Sequence, residues 1–142
     1  MKMNSELRNL RVAVYRWECS STDIEHECQR HAGVSDAEIM FSYCEINTIT
    51  PAYTLIEESP QTLEELKNLP ELKRLMNLAK SAEIDAVLIN RMYMFSSTIV
   101  GFYNMVKYFN HYKTHVICVD EPFHVQASDE GLIINPELIE IN

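Results

Sequence analysis

The sequence predicts an α/β protein in three layers, with a mostly parallel sheet of four to five strands and helices on both faces. The clearest strand is at residues 84–89, where apolar side chains run almost continuously, as they do in strands covered on both faces. A helical pattern precedes it, with four apolar residues at positions i, i+3, i+4 and i+7: Leu72, Leu75, Met76 and Ala79. Strand and helix patterns alternate along the chain in this way, which favours a parallel sheet.

The composition indicates a globular protein, and the 142 residues are predicted to form a single domain over residues 1–142. A net charge of -9 argues against binding of DNA or of an anionic membrane by this chain alone, because such binding depends on Lys and Arg side chains that neutralise phosphates. The four cysteines form no CxxC pair and are interpreted as reduced thiols. No apolar run is long enough to span a bilayer, and a cytoplasmic location is predicted.

The first half of the chain begins with a buried strand at residues 11–15, which leads into a turn. Thr22 and Glu25 form a capping-box pattern, which predicts a helix over residues 22–32. Residues 39–45 are interpreted as a second strand. The segment 47–60 contains two prolines and is interpreted as a loop, or as a short strand or packed flap.

The second half starts with a short helix at Thr62, whose capping partner is Glu65, and a longer helix that begins near Asn68 with Pro70 in its first turn. After the strand at 84–89 come a turn at 90–97 and a helix capped by Ser96 or Ser97. The apolar face of that helix is predicted to contain Ile99, Phe102, Tyr103, Val106 and Phe109. Further strands are predicted at 115–119 and 131–135.

Two turns, at residues 16–22 and 90–98, are expected to meet at the carboxyl edge of the sheet, where α/β proteins place their functional groups. A serine or cysteine nucleophile needs an activating base or cation and a group that stabilises negative charge. Cys19 and Ser20 are the candidate nucleophiles here, and Arg16 and Arg91 are the cations of these turns. The remaining crevice candidates are Trp17, Asn90, Tyr93, Ser96 and Ser97.

Metal and nucleotide sites are not predicted. His26 and His31 are five residues apart and do not share a helix face, and the other histidines are dispersed. With three glycines and no Walker or GxGxxG motif, the chain lacks the residues of a backbone phosphate cradle. We therefore expect neither a bound metal nor a cofactor.

Several strings, in order along residues 10–122, resemble the catalytic domain of the serine recombinases, the resolvase and invertase family. Arg11-Val12-Ala13-Val14-Tyr15 resembles the opening strand of that family, and Gln29 matches a glutamine of its first helix. Leu69-Pro70-Glu71-Leu72 resembles its Arg-Pro-x-Leu motif. Residues 84–89 and 116–121 are similar to its next two strands. The resemblance implies a resolvase-like fold.

The family cuts DNA by attack of a serine on a phosphodiester, and arginines surround the phosphate because the transition state carries charge that directed cations offset. This sequence departs from the family at each of those arginines. Counted from Tyr15, Trp17 replaces an arginine and Cys19 the serine, whereas counting from Gln29 puts Glu18 and Ser20 at these positions. The other arginine positions are occupied by Leu69, Met94 and Ser97.

Three functions follow as hypotheses. The first is a catalytically inactive recombinase-like domain that acts on a protein partner, either a second copy or a recombinase, in DNA recombination or in a mobile element. The second is an active phosphoester enzyme with Ser20 or Cys19 as nucleophile and Arg16 and Arg91 as substitute cations. The third is a small-ligand binder at the crevice of Trp17 and its neighbours. The family's DNA-binding module and its long dimerising helix are not expected within these residues.

Overall fold

A single six-stranded sheet organises the computed structural model, which describes residues 10–18, 36–119, 123–128 and 131–135. The strands are β1 (Val12–Glu18), β2 (Tyr53–Glu58), β3 (Ala86–Ile89), β4 (His115–Cys118), β5 (Phe123–Ser128) and β6 (Gly131–Asn135). The helices are α1 (Asp36–Ile46), α2 (Leu63–Leu66), α3 (Pro70–Lys80) and α4 (Ile99–His111), with a 3-10 turn at Met92–Met94.

The strand order is β2-β1-β3-β4-β5-β6, and the first four strands are parallel. β5 and β6 extend the sheet as antiparallel strands. The predicted class, an α/β fold with a mostly parallel sheet, is therefore confirmed. The sheet has six strands where four to five were predicted, because β5, which was not predicted, pairs with β4 ahead of the predicted strand at 131–135.

Helices cover both faces of the sheet, as the three-layer prediction requires. Alternate residues of β1 point to opposite faces, so that Ala13 and Tyr15 pack with α3 and α4 while Val12 and Val14 pack with α1. All four of these side chains are buried. The first strand is thus central to both cores.

The prediction of a strand at residues 39–45 is wrong, because this segment lies within α1. Its buried residues Met40, Tyr43 and Cys44 follow helical i, i+3, i+4 spacing, whereas Phe41 and Ile46 are exposed. The two exposed apolar side chains made the sequence look continuously apolar. The predicted helix at 22–32 lies outside the described residues.

The segment interpreted as a loop at 47–60 contains the edge strand β2. Leu55 and Glu57 of this strand are buried, whereas Thr54, Ile56 and Glu58 are exposed. The alternative interpretation of this segment, a short strand, is therefore confirmed, and the buried Glu57 weakens the apolar alternation that indicates it. The pairing with β1, Tyr15 beside Leu55 and Trp17 beside Glu57, places this glutamate next to the central strand.

The capping prediction for α2 is confirmed, whereas the residue that precedes α3 is Leu69, not Asn68, and it makes no side-chain capping hydrogen bond. The Thr62 hydroxyl accepts a hydrogen bond of 3.0 Å from the Glu65 amide at the start of α2. α3 starts at Pro70, whose ring is tolerated in the first turn because no backbone donor is needed there. Leu75 and Ala79 of its predicted apolar face are fully buried.

An ion pair joins the amino ends of β1 and β3. The Arg11 Nε and Nη2 atoms each lie 3.0 Å from an Asp85 carboxylate oxygen, and the Arg11 amide also donates to this carboxylate at 2.9 Å. The hydrogen bond from the Arg11 side chain is the main reason why the pKa of Asp85 is lowered. A lowered pKa in the folded state stabilises that state at neutral pH.

Asp85→Asn is therefore expected to lower the melting temperature at pH 7 by about 3 °C, the scale of a partly exposed ion pair in a domain of this size. The contribution of Asp85 is complete above the ordinary aspartate pKa of 3.8 and is lost as the pH falls through the lowered value. Thermal denaturation of both proteins between pH 7 and pH 3 checks this. A difference that stays constant over the whole range would contradict it.

Candidate functional site

The carboxyl ends of β1 and β3 form the edge at which the sequence placed the candidate site. Tyr15 of β1 is paired with Ile89 of β3, so that the residues following each strand emerge side by side. Cys19 and Ser20, the candidate nucleophiles, lie outside the described residues. The described part of the site consists of the end of β1 and the turn that follows β3.

A cleft of about 380 Å³ opens at this edge. Its walls come from the turn after β3, the start of α4 and the end of β4. The lining residues are Asn90, Arg91, Met92, Tyr93, Ser96, Ser97, Thr98, Ile99, Phe102 and Cys118. The structure therefore brings together five residues named from the sequence, Asn90, Arg91, Tyr93, Ser96 and Ser97; their role in function stays a prediction.

The turn that carries these residues is anchored by two side chains that pack in the hydrophobic core. Met94 and Phe95 point inward and are almost completely buried. The Phe95 ring stacks on Phe109 of α4 with 5.2 Å between ring centroids. The backbone of the turn is also held on its other side, because the Cys118 thiol donates a hydrogen bond of 3.4 Å to the carbonyl oxygen of the fully buried Asn90. The cleft therefore has a packed floor.

The start of α4 forms the opposite wall. The residue that caps this helix is Thr98, whose hydroxyl accepts from the Gly101 amide at 3.0 Å, and the prediction of Ser96 or Ser97 as the cap is wrong. The Ser96 hydroxyl instead accepts from the Thr98 amide at 3.3 Å and lies directly over Gly101. A Cβ atom on residue 101 would come within 2.0 Å of this hydroxyl oxygen, so that a larger residue there would force the Ser96 side chain to move.

Exposure at the start of α4 also differs from the prediction. Ile99 was expected on the buried face but is 71% exposed, and Val100 beside it is also exposed. The buried face of α4 starts at Phe102 and continues with Val106 and Phe109. Ile99 lines the cleft together with the partly exposed Met92 and Tyr93, and these three side chains form its apolar rim.

Trp17 and Arg16 lie on opposite faces of the sheet, because they are successive residues of β1. The Trp17 ring contacts Tyr93, which lines the cleft, edge to face with 5.3 Å between centroids, and these two rings form the aromatic wall of the cleft. The Arg16 side chain is largely buried and lies 3.5 Å from a Glu18 carboxylate oxygen. The two candidate substitute cations are therefore placed differently, since Arg91 lines the cleft and Arg16 does not.

A buried carboxylate, which the sequence did not indicate, adjoins this site. The Glu57 side chain accepts hydrogen bonds from the Tyr15 hydroxyl at 3.0 Å and from the backbone amides of Leu72 at 2.9 Å and Glu71 at 3.2 Å. The Tyr15 hydroxyl in turn accepts from the Trp17 indole nitrogen at 3.1 Å. Burial raises the pKa of Tyr15 above its ordinary value, so that its hydroxyl stays protonated and acts as a donor.

Two of the positions to which the sequence resemblance assigns arginines lie in the hydrophobic core. Met94 is 0% exposed and Leu69 is 7% exposed, and both belong to the cluster beneath α3 and α4. Ser97, at a third such position, is exposed on the wall of the cleft. The apolar residues at two of these positions therefore contribute to packing.

Metal ligation and membrane insertion find no support in the part of the chain that the structure describes. Within residues 10–18, 36–119, 123–128 and 131–135, no three His, Cys, Asp or Glu side chains are grouped closely enough to hold a metal ion. No helix in these ranges is both long and apolar enough to cross a membrane.

The chain was compared with known proteins. No protein-family model matches it, and no curated protein matches it. Its fold is similar to a resolvase family site-specific recombinase from Streptococcus pneumoniae, with a TM-score of 0.59 and 17% identity over 80% of this chain and 75% of that one. It is also similar to the N-terminal catalytic domain of TP901-1 integrase, with a TM-score of 0.57 and 22% identity over 79% and 81% of the two chains.

A third similar structure is the C-terminal catalytic domain of ISC1926 TnpA, an IS607-like serine recombinase, with a TM-score of 0.57 and 17% identity over 76% of this chain and 67% of that one. The chain therefore has the fold of serine recombinase catalytic domains, which confirms the predicted resolvase-like architecture. Identities of 17–22% establish the fold alone.

Proposed function

We propose that this chain is a catalytically inactive serine-recombinase-like domain that acts through contact with a protein partner, in site-specific DNA recombination or in a mobile element. The observation that carries the proposal is the burial of Met94 and Leu69 in the core, at positions where the resemblance places phosphate-binding arginines. Phosphoryl transfer depends on positioned cations, and a buried methionine or leucine supplies none.

The charge next to these positions also supports inactivity. The amino terminus of α3 directs backbone amides outward and is a natural site for a phosphate group. Here the Glu57 carboxylate accepts from the Glu71 and Leu72 amides, which are the donors such a phosphate would use. A second anion at the same place would be repelled. The net charge of -9 further disfavours DNA as a direct ligand.

The apolar rim of the cleft is the surface that best suits a partner. Met92, Tyr93 and Ile99 of this rim are partly or largely exposed, as is Val100 next to Ile99 in the chain, and aromatic and methionine side chains are enriched at protein interfaces. The acidic chain would associate most readily with a basic protein, since opposite charges accelerate encounter. A recombinase, which must itself bind DNA, has this property.

Incubation with supercoiled DNA tests the catalytic part of the proposal. We expect no covalent protein–DNA species on a denaturing gel, with Ser20→Ala and Cys19→Ala variants as matched controls. A covalent species that forms with the natural sequence and is lost in either variant would instead support the phosphoester enzyme, with Arg16 and Arg91 as its cations. Circular dichroism of the same samples verifies that the protein is folded.

Light scattering and copurification test the partner part. A stable homodimer, or a complex with a serine recombinase from the same source, is expected. Ile99→Asp is expected to weaken that complex without unfolding the chain, because this side chain is exposed. A matched control is Leu63→Asp, which changes an equally exposed apolar residue away from the cleft. A strictly monomeric protein that binds no recombinase would contradict the proposal.

A second candidate function is the binding of a small ligand in the cleft. Its volume of about 380 Å³ is within the range of small-molecule sites, and one arginine and several hydroxyl groups line it. Thermal-shift screening with small anionic and aromatic compounds tests this function. A ligand that raises the melting temperature of the natural protein but not of a Tyr93→Ala variant would support it.

A further inference from the structure

Glu57 is a buried acidic residue. The proposed inactivity accounts for its contact with the amides of α3 but not for its contact with Tyr15. Its side chain is 2% exposed and accepts three hydrogen bonds. Among the described residues, the donors to this carboxylate are neutral groups, one tyrosine hydroxyl and two backbone amides. A buried carboxylate is costly unless it is hydrogen-bonded, and a fully hydrogen-bonded one can hold separate elements in position.

The first connection is to α3. The residue that precedes this helix is Leu69, which has no side-chain acceptor, and Pro70 at the first helical position has no amide donor. The next two amides, of Glu71 and Leu72, donate to the two oxygens of Glu57. The helix is therefore capped by a residue of strand β2, which lies more than a dozen positions earlier in the chain.

The second connection is to the aromatic wall of the cleft. The Tyr15 hydroxyl has a single proton, and it donates this proton to Glu57 Oε1 at 3.0 Å. A lone pair of the hydroxyl is then free to accept from the Trp17 indole nitrogen at 3.1 Å. The Trp17 ring held in this way packs against Tyr93 of the cleft.

We propose that Glu57 is a positioning residue that couples the amino terminus of α3 to the cleft, by orienting the Tyr15 hydroxyl and through it the indole of Trp17. The aromatic wall is in place only while the carboxylate holds both the helix and the tyrosine. This inference rests on the proposed function solely in taking the cleft rim as the partner surface, and the chain of contacts from Glu57 to Tyr93 is independent of any partner.

The single tryptophan of the sequence makes this inference directly measurable. In Glu57→Gln, an amide NH2 group replaces one acceptor and faces a backbone N–H donor or the tyrosine hydroxyl. We expect a red shift of Trp17 emission and stronger quenching by acrylamide. Glu58→Gln is the matched control, because this neighbouring glutamate is exposed on the same strand. Neither the emission of Trp17 nor its quenching by acrylamide should change in this variant.

Tyr15→Phe separates the two connections. This variant keeps the Glu57 carboxylate and its two amide donors, so that far-ultraviolet circular dichroism should be preserved while the Trp17 signal shifts as in Glu57→Gln. It also maintains the test if Glu57→Gln fails to fold. Natural Trp17 emission and quenching in a folded Tyr15→Phe protein would overturn the inference.

A third variant distinguishes positioning from general packing. Glu57→Ala leaves two amides and a hydroxyl directed at an empty space, where added formate can bind as a carboxylate. Formate is expected to restore Trp17 emission in Glu57→Ala and to leave Tyr15→Phe unchanged. Failure of formate to restore the signal would contradict the role of the carboxylate. Partner binding is measured separately, so that loss of the proposed function would leave these fluorescence results standing.

Discussion

Met94→Arg is expected to abolish folding of this domain, whereas Ser97→Arg should leave its stability almost unchanged. Both substitutions introduce an arginine at a position where the recombinase resemblance has one. Met94 is 0% exposed and belongs to the core cluster that includes Tyr15 and Phe102, so that a guanidinium there would be buried without a partner. The cost of an unpaired buried charge exceeds about 5 kcal/mol, which is comparable with the total stability of a domain.

Ser97 is exposed on the cleft wall, and an arginine there reaches solvent. Substitutions at such a position usually change stability by less than about 0.5 kcal/mol. Met94→Leu is the control for volume, and it should cost less than about 1.5 kcal/mol because the core accepts a similar apolar side chain. Expression in soluble form and urea denaturation measure all three variants.

A folded Met94→Arg protein with near-natural stability would show that this position still has access to solvent or to an acidic partner. Such a result would remove the main observation that supports the proposed catalytic inactivity. The expected result would mean that the apolar residue at 94 is part of the core, and that a single substitution cannot place an arginine in the site.

The fold was largely predictable because its strongest elements carry local signals. The continuous apolar run of β3, the i, i+3, i+4 spacing of α3 and the capping pair Thr62 and Glu65 each depend on neighbours in sequence. α1 was misassigned even though its buried residues have helical spacing, because the exposed Phe41 concealed the polar face. Exposed apolar residues give no local sign of their exposure.

The site was less predictable, because its organising contacts are distant in sequence. Tyr15 and Glu57 are 42 positions apart, and the amides of Glu71 and Leu72 are 14 and 15 positions from Glu57. A glutamate within a loop-like segment resembles any solvated charge. The turn residues Asn90, Arg91 and Tyr93 could be named because they directly follow an evident strand, whereas the geometry of Trp17 against Tyr93 required the fold.

The floor of the cleft depends on Phe109, which stacks on Phe95 directly below the turn that carries the cleft residues. The Tyr108 ring contacts it edge to face, at 5.6 Å between centroids, and Phe109 itself is fully buried. Truncation of a buried aromatic residue loses its transfer free energy and leaves a cavity. The loss of paired rings adds to this cost.

Phe109→Ala is therefore expected to destabilise the protein by about 3–5 kcal/mol, which corresponds to a fall in melting temperature of roughly 10–20 °C for a domain of this size. Ile99→Ala on the same helix is the control, and a change below about 0.5 kcal/mol is expected because Ile99 is exposed. Since Phe95 loses its support, Trp17 emission should also shift in Phe109→Ala under conditions where the protein is still folded. Equal destabilisation by the two variants would contradict the described packing of α4, in which Phe109 is buried and Ile99 is exposed.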